Sequence, residues 1–255
     1  MFLFLLAGCG GRSSLLINLA GSTSVQPLAE LLAESYMKKN PAVTIDVQGG
    51  GSSAGIEAVL QEVVSIGTSS RPLKDNEKNL IPYEIAFDAV AVIVNPQNAL
   101  KGLKLPQLKK IYSGQIKEWC QVFPGGARRE IDLVTREVGS GTREAFTKIV
   151  MADLDITPSA IVEDATGVVR EVVASDPAAI GYISLGIADK RVKVLEIEGV
   201  KPTLETVRTR RYKITRPFLF VLKKKPAGEV KKFLDFVLGP AGQKIVREAG
   251  FVPVI

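Results

Sequence analysis

Histidine is missing from all 255 residues, and the chain has only two cysteines, Cys9 and Cys120, and one tryptophan, Trp119. The first absence removes the commonest metal ligand and the commonest general base, so zinc sites and histidine-dependent nucleophilic triads are excluded. Two cysteines cannot make a disulfide-stapled scaffold. Aromatic residues are 6% of the chain, and its 33 Lys and Arg are scattered rather than interleaved with them, so nucleic acid is not an expected partner. No apolar run reaches the ~20 residues of a spanning helix. What is there is a globular composition, 46% hydrophobic with a net charge of +6, sized for one large or two moderate cores and disposed toward small anions. Neither a metal nor a cofactor is expected.

The chain opens on Met-Phe-Leu-Phe-Leu-Leu-Ala-Gly-Cys, an apolar run that ends in small residues. It has the texture of a secretory signal core, although the usual charged segment before it is missing. Leu6-Ala7-Gly8-Cys9 resembles the bacterial lipobox, in which the cysteine is lipidated and becomes the first mature residue. Residues 1–14 are therefore assigned to an export signal with lipobox and linker, Cys9 to lipidation, and Cys120 to a free thiol.

Beyond this segment one local pattern recurs. Ile131, Leu133 and Val134 read as a strand, Gly139-Ser140-Gly141 as a tight turn, and Thr142 to Met151 as a helix with apolar spacing at Phe146, Ile149 and Val150. Such a turn aims unpartnered helix N–H groups and the positive end of the dipole into one small space, which suits an anion. Arg136, at the strand end, adds a planar fork for an oxyanion. The same strand, hydroxyl-rich turn and helix occur at Gly21-Ser22-Thr23-Ser24 and at Gly49-Gly50-Gly51-Ser52-Ser53. A fourth strand, Val63 to Gly67, delivers Thr68-Ser69-Ser70-Arg71 ahead of a polar helical region. In open α/β sheets ligands sit beyond the carboxyl ends of strands, so all four loops are placed to meet one.

Two continuous apolar strands, Ala89 to Asn95 and Phe218 to Leu222, bracket a lysine-rich central section of shorter elements. This is the layout of two domains joined by two crossings, with residues 15–92 and 216–255 forming one lobe and 93–215 the other. Trp119 reads as core, Lys223-Lys224-Lys225 as a solvated face, and the last sixth of the chain as two helices.

Taken together, Gly-Ser-Thr-Ser-Val-Gln-Pro at 21–27, Gly-Gly-Gly-Ser-Ser-Ala-Gly at 49–55, Ser-Ser-Arg-Pro-Leu at 69–73, Ile-Tyr-Ser-Gly-Gln-Ile-Lys-Glu-Trp at 111–119, Arg-Glu-Val-Gly-Ser-Gly-Thr-Arg at 136–143 and Ala-Ile-Gly-Tyr at 179–182 resemble the phosphate-binding solute receptors of bacterial ABC importers. The resemblance implies an α/β, two-lobed type II periplasmic-binding-protein fold, each lobe a mixed sheet flanked by helices, with a two-strand hinge. It implies a phosphate site built by Thr23, Ser24, Ser52, Ser70, Arg136, Ser140, Gly141 and Thr142. It also implies a monomeric extracytoplasmic receptor, lipid-anchored to the membrane, that hands phosphate to a membrane permease and does no chemistry. Two positions depart from the family pattern: Ser70 stands where an acidic residue accepts the ligand proton, and Val138 where a second acid pairs with the arginine. Glu137 is expected to face away from Arg136, because neighbours on a strand point to opposite sides. The serine hydroxyl can donate or accept, which predicts weak pH dependence and leaves discrimination against sulfate open. The alternatives are a receptor for sulfate, molybdate or tungstate on the same fold, or a phosphate sensor or adhesion module. An enzyme using Ser140 lacks any base beside it.

Overall fold

The computed structural model describes residues 15–255, so the export segment and Cys9 lie outside the described residues. In chain order the elements are β1 (Leu15–Gly21), α1 (Gln26–Lys39), β2 (Val43–Gly49), α2 (Ser52–Leu60), β3 (Ile66–Ser69), β4 (Ile81–Val94), β5 (Gly102–Leu103), α3 (Leu105–Tyr112), β6 (Asp132–Arg136) and α4 (Gly141–Phe146), which widens into a π-helix over Thr147–Met151. There follow β7 (Ile161–Glu163), α5 (Thr166–Ser175), β8 (Ala179–Ser184), β9 (Lys193–Val194), β10 (Glu196–Ile197), α6 (Leu204–Arg208), β11 (Thr215–Leu222), α7 (Gly228–Leu238) and α8 (Pro240–Glu248).

Sequence spacing explains most of these. In α1, Pro27 sits in the first turn, where no intrahelical N–H is needed, and Leu28, Leu32 and Tyr36 are buried at helical intervals. Leu31, between them in sequence, is exposed. The all-buried strands β3 and β8 carry no polar alternation because helices cover both of their faces.

One mixed sheet runs β2-β1-β3-β11-β4-β8-β6-β7, with β9 also paired to β4. Pairing is parallel from β2 through β3, antiparallel across β11, β4 and β8, and parallel again through β6 and β7. The centre of this order is β4, fourteen residues long where the sequence suggested only its second half. Its first half lies against β11 and its second half against β8, with the partner changing between Ala89 and Val90. The core divides in the same way. One cluster gathers Ile17, Leu28, Ile66, Ile85, Phe218, Phe220, Phe233 and Val246; another gathers Val90, Val92, Tyr112, Trp119, Leu133, Phe146, Tyr182 and Tyr212. Two lobes thus share one strand pair, β4 and β11, as the hinge. Helices α7 and α8 return to the first lobe, where Gln243 donates to the carbonyls of Ile85 and Val237.

Two local readings are corrected. The strand expected from Val63 begins at Ile66, since residues 63–65 are still turning out of α2 and Val63 is exposed. The polar helix expected after Pro72 is only a 3-10 turn, Asp75–Glu77. Lys223, Lys224 and Lys225 are exposed, as a solvated face requires, and the first two pair with Glu62 at the surface. Trp119 is core, its indole N–H donating to the Ala178 carbonyl at 3.0 Å.

Candidate anion-binding site

The loops after β1, β2 and β3 face the loop between β6 and α4. Gly51 makes the entry into α2 with φ 93°, a left-handed angle that favours glycine, and so brings Ser52 to the helix start beneath Ser70. Ser70 N–H donates to Ser52 Oγ at 3.1 Å, and the two hydroxyls lie 3.3 Å apart. Ser22 Oγ donates to Ser70 Oγ at 2.9 Å. Across the cleft, Ser24 Oγ meets Thr142 Oγ1 at 2.9 Å. Ser22, Ser24, Ser52, Ser70, Ser140 and Thr142 are all buried. A fully buried cluster of hydroxyls is a polar concentration that a core does not need, and it suits a ligand rich in acceptors.

Gly141 lies in the middle of this cluster. A Cβ built there would be 2.4 Å from Ser52 Oγ and 2.6 Å from Ser70 Oγ, so the second lobe can approach the first only with glycine at this position. Ser140 caps α4, its Oγ accepting the Arg143 N–H at 3.3 Å. Thr23 stands apart at the rim, half-buried, its hydroxyl accepting the Thr166 N–H at 3.4 Å rather than joining the cluster.

Arg136, 1% exposed, ends β6. Its Nε donates to Glu137 Oε2 at 2.8 Å and to the Glu163 carbonyl at 3.1 Å, and its Nη2 to Glu137 Oε1 at 3.0 Å and to the Asp164 carbonyl at 3.0 Å. Nη1 is buried without a hydrogen-bond partner. A guanidinium fixed on one edge and free on the other is an oxyanion donor held in place by its own carboxylate. Glu137 does therefore pair with Arg136. Strand alternation does not apply, since β6 stops at Arg136 and the chain turns there. Val138, at the position of the missing second acid, is 89% exposed and outside the site.

Two residues escaped the sequence reading. Arg216, in β11, is buried and donates from Nε and Nη2 to Asp88 Oδ2 at 3.0 and 2.9 Å. Its Nη1 reaches Ser70 Oγ at 3.2 Å and Thr142 Oγ1 at 2.6 Å, so the hinge itself touches both sides of the cluster. Asp88, in β4, also accepts the Leu185 N–H at 3.2 Å. Burial pushes the Asp88 carboxyl up and the Arg216 guanidinium down, and the attraction between them opposes both shifts. The signal was a charge set within or beside an apolar run in each of two strands, which requires a buried partner.

Contacts across the cleft hold the lobes together. Ser53 N–H donates to the Gly139 carbonyl at 3.1 Å, and Glu144 pairs with Arg71 at 3.0 Å and Lys74 at 2.9 Å. Arg71 is anchored in turn by Glu77, at 2.7 and 2.9 Å.

A model of the PBP superfamily domain matches residues 10–241. The phosphate-binding protein PstS of Bacillus subtilis (strain 168) is 35% identical over 244 residues, covering 93% of this chain and 80% of that protein. This chain belongs to the PstS family of phosphate-binding proteins. The PstS of Borreliella burgdorferi is 30% identical over 94% of this chain and 90% of its own length. Among solved structures, a putative phosphate ABC transporter substrate-binding protein from Clostridium perfringens, determined with bound phosphate, superposes with a TM-score of 0.90 at 39% identity, covering 94% of this chain and all of that one. An ABC-type phosphate transport receptor from Vibrio cholerae superposes at 0.76 with 35% identity, covering 92% and 99%. The family and the superpositions agree with the type II periplasmic-binding-protein fold described above. Among the described residues no helix is long and apolar enough to cross a membrane.

Proposed function

We propose that this protein is an extracytoplasmic receptor that holds inorganic phosphate between its lobes, taken as 15–92 with 216–255 and 93–215, and passes it to the membrane permease of an ABC importer. It binds and releases without chemistry, as a monomer, anchored through a lipid on Cys9. The observation that carries the reading is Arg136, buried with Nη1 unpartnered and within charge range of Arg216, which touches the hydroxyl cluster. Relatives named for phosphate binding, and one solved with phosphate, support the choice of ligand. Ser24, Ser52, Ser70 and Thr142 supply hydroxyl donors, Gly141 room for close approach, and Ser140 and Thr23 shape the loops.

A titration calorimetry series tests this, with phosphate, sulfate and molybdate on wild type and Arg136→Lys. Wild type binds phosphate saturably. The lysine keeps one charge but loses the fork, and binding falls by about 2–5 kcal/mol. A variant that binds as well as wild type removes Arg136 from the site.

One observation favours a broader oxyanion specificity. Both oxygens of Glu137 are engaged by Arg136, and those of Asp88 by Arg216 and the Leu185 N–H, so both nearby carboxylates are already committed to protein donors. Sulfate then competes with phosphate in the same titrations.

A further inference from the structure

Arg216 lies in the hinge rather than in the strand-end loops, yet it touches the cluster directly, and the direction of its hydrogen bonds constrains what the neighbouring hydroxyls can do. A serine hydroxyl has one proton to donate and two lone pairs to accept with. Ser70 Oγ already accepts from Ser22 Oγ at 2.9 Å and from Arg216 Nη1 at 3.2 Å. Both lone pairs are then filled, so the Ser70 proton is donated, either to Ser52 Oγ at 3.3 Å or to a ligand in its place. Ser22 cannot reverse its part, because its own oxygen is approached by the N–H groups of Ser24 and Val25 at 3.3 and 3.4 Å. Ser52 Oγ likewise accepts from the Ser70 N–H. On the other lobe, Arg216 Nη1 occupies one lone pair of Thr142 at 2.6 Å. Asp88 holds the guanidinium in this pose through Nε and Nη2, leaving Nη1 for the hydroxyls.

We propose that Arg216, oriented by Asp88, is a positioning residue that fixes Ser70 as a hydrogen-bond donor, so that the site selects the unprotonated oxygens of a dianionic tetrahedral ligand. This rests on the reading of the protein as a phosphate receptor and sharpens it: phosphate is taken as the dianion, and the monoanion is the poorer ligand. The free choice between donating and accepting that a lone serine would have is removed by its neighbours.

The charged and titratable groups around the cluster are Asp88 on β4, Arg216 on β11, Arg136 and Glu137 at the end of β6, Arg143 and Glu144 on α4, Arg71 beyond β3, Tyr182 on β8, and Tyr212 beside Asp88. Burial raises both tyrosine hydroxyls above their ordinary value. Burial raises the Asp88 carboxyl, and its three N–H donors oppose that shift. Histidine is absent from the chain, and phosphate itself titrates near neutrality. Its second ionisation lies near ~7 for the free anion, roughly a unit above the ~6 of a phosphate ester.

The experiment is calorimetric titration of the full chain with inorganic phosphate and with sulfate. Between about pH 6 and about pH 8 the dianion fraction rises about tenfold, and apparent phosphate affinity should rise by the same factor. Sulfate, which carries no proton in this range, should bind with affinity unchanged. The double variant Asp88→Asn with Arg216→Gln keeps a neutral hydrogen-bonding pair in the hinge, and its phosphate affinity should vary by less than about threefold over the same range. A wild type whose phosphate affinity is flat with pH, or a double variant that keeps the full tenfold rise, overturns the proposal while leaving the phosphate receptor intact. If the double variant fails to fold, the wild-type profiles for the two anions still decide. A wild type that binds neither anion at any pH defeats the receptor reading itself.

Discussion

Gly141→Ala is the smallest change that should separate the fold from the site. Gly141 opens α4 without a left-handed φ, so an alanine there meets no backbone strain and loses nothing in helix propensity. Its methyl group, however, would lie 2.4 Å from Ser52 Oγ and 2.6 Å from Ser70 Oγ, roughly an ångström inside ordinary contact. Both hydroxyls belong to short, buried side chains of the opposite lobe, bonded to each other and, at Ser70, to Ser22 and Arg216, so neither has a free rotamer to retreat to. Overpacking of this kind costs about 1–3 kcal/mol. The lobes relieve it by standing apart, which moves the whole cost onto binding. Phosphate affinity should therefore fall by about 5- to 150-fold, at 1.4 kcal/mol per decade. Calorimetry gives the affinity directly. Thermal unfolding with and without phosphate gives the second half of the prediction: an unchanged midpoint without ligand and a reduced ligand-induced rise. A variant with wild-type affinity would mean that Gly141 and the two serines do not meet around the ligand.

The remaining predictions concern the charges around the cleft. Asp88→Ala leaves Arg216 buried without a counter-charge and should cost about 3–5 kcal/mol in urea unfolding, whereas Asp88→Asn with Arg216→Gln should cost clearly less than the two single changes added together. Glu144→Gln removes the pairs to Arg71 and Lys74 across the cleft; with Glu144 partly exposed, phosphate affinity should drop by only about 1 kcal/mol or less, and the difference should shrink in high salt. Glu77 is held below the usual carboxylate range chiefly by its hydrogen bond from Arg71, so its contribution is present above the unfolded value of ~4.3 and is lost as pH falls through the depressed folded one. Glu77→Gln should accordingly destabilise by about 1.5–3 kcal/mol near neutrality, and by progressively less in acid-unfolding curves below that value.

What the sequence made legible was local. A strand end followed by glycine, serine and a helix is written in consecutive residues, and the loops at Ser24, Ser52, Ser70 and Thr142 do converge in the structure. The Asp88–Arg216 pair is not local: it joins positions 128 apart, and only the antiparallel register of β4 with β11 brings Arg216 opposite Asp88. Each strand nevertheless carried a hint, one charge in a run such as Ile85-Ala86-Phe87-Asp88-Ala89-Val90. Glu137 was misjudged for a different reason. The alternation rule holds only while a strand lasts, and β6 ends one residue earlier, at Arg136. The start of β3 shifted similarly, because hydropathy alone does not say where a chain leaving a helix has finished turning.

The site and the hinge share an electrostatic problem that explains why they share residues. Bringing the lobes together places Arg136 and Arg216 within reach of one another, and Arg136 disfavours the charged form of Arg216. Each guanidinium has its own carboxylate, Glu137 or Asp88, but these lie on the outer edges of the two pairs and leave Arg136 Nη1 and Arg216 Nη1 turned away from them. The contacts that favour closure without ligand are the backbone hydrogen bond at Gly139, the hydroxyl contacts of Thr23 and of Ser24 with Thr142, the Arg216 contact to Thr142, and the partly exposed pairs of Glu144. An anion between the two forks replaces their repulsion with two attractions, and it gains most from the form in which both forks are near. A ligand shifts an equilibrium only by its difference in affinity for the two forms. In the proposed site that difference comes from two arginines, one at the end of β6 and one in the hinge strand β11, and it would couple binding to closure.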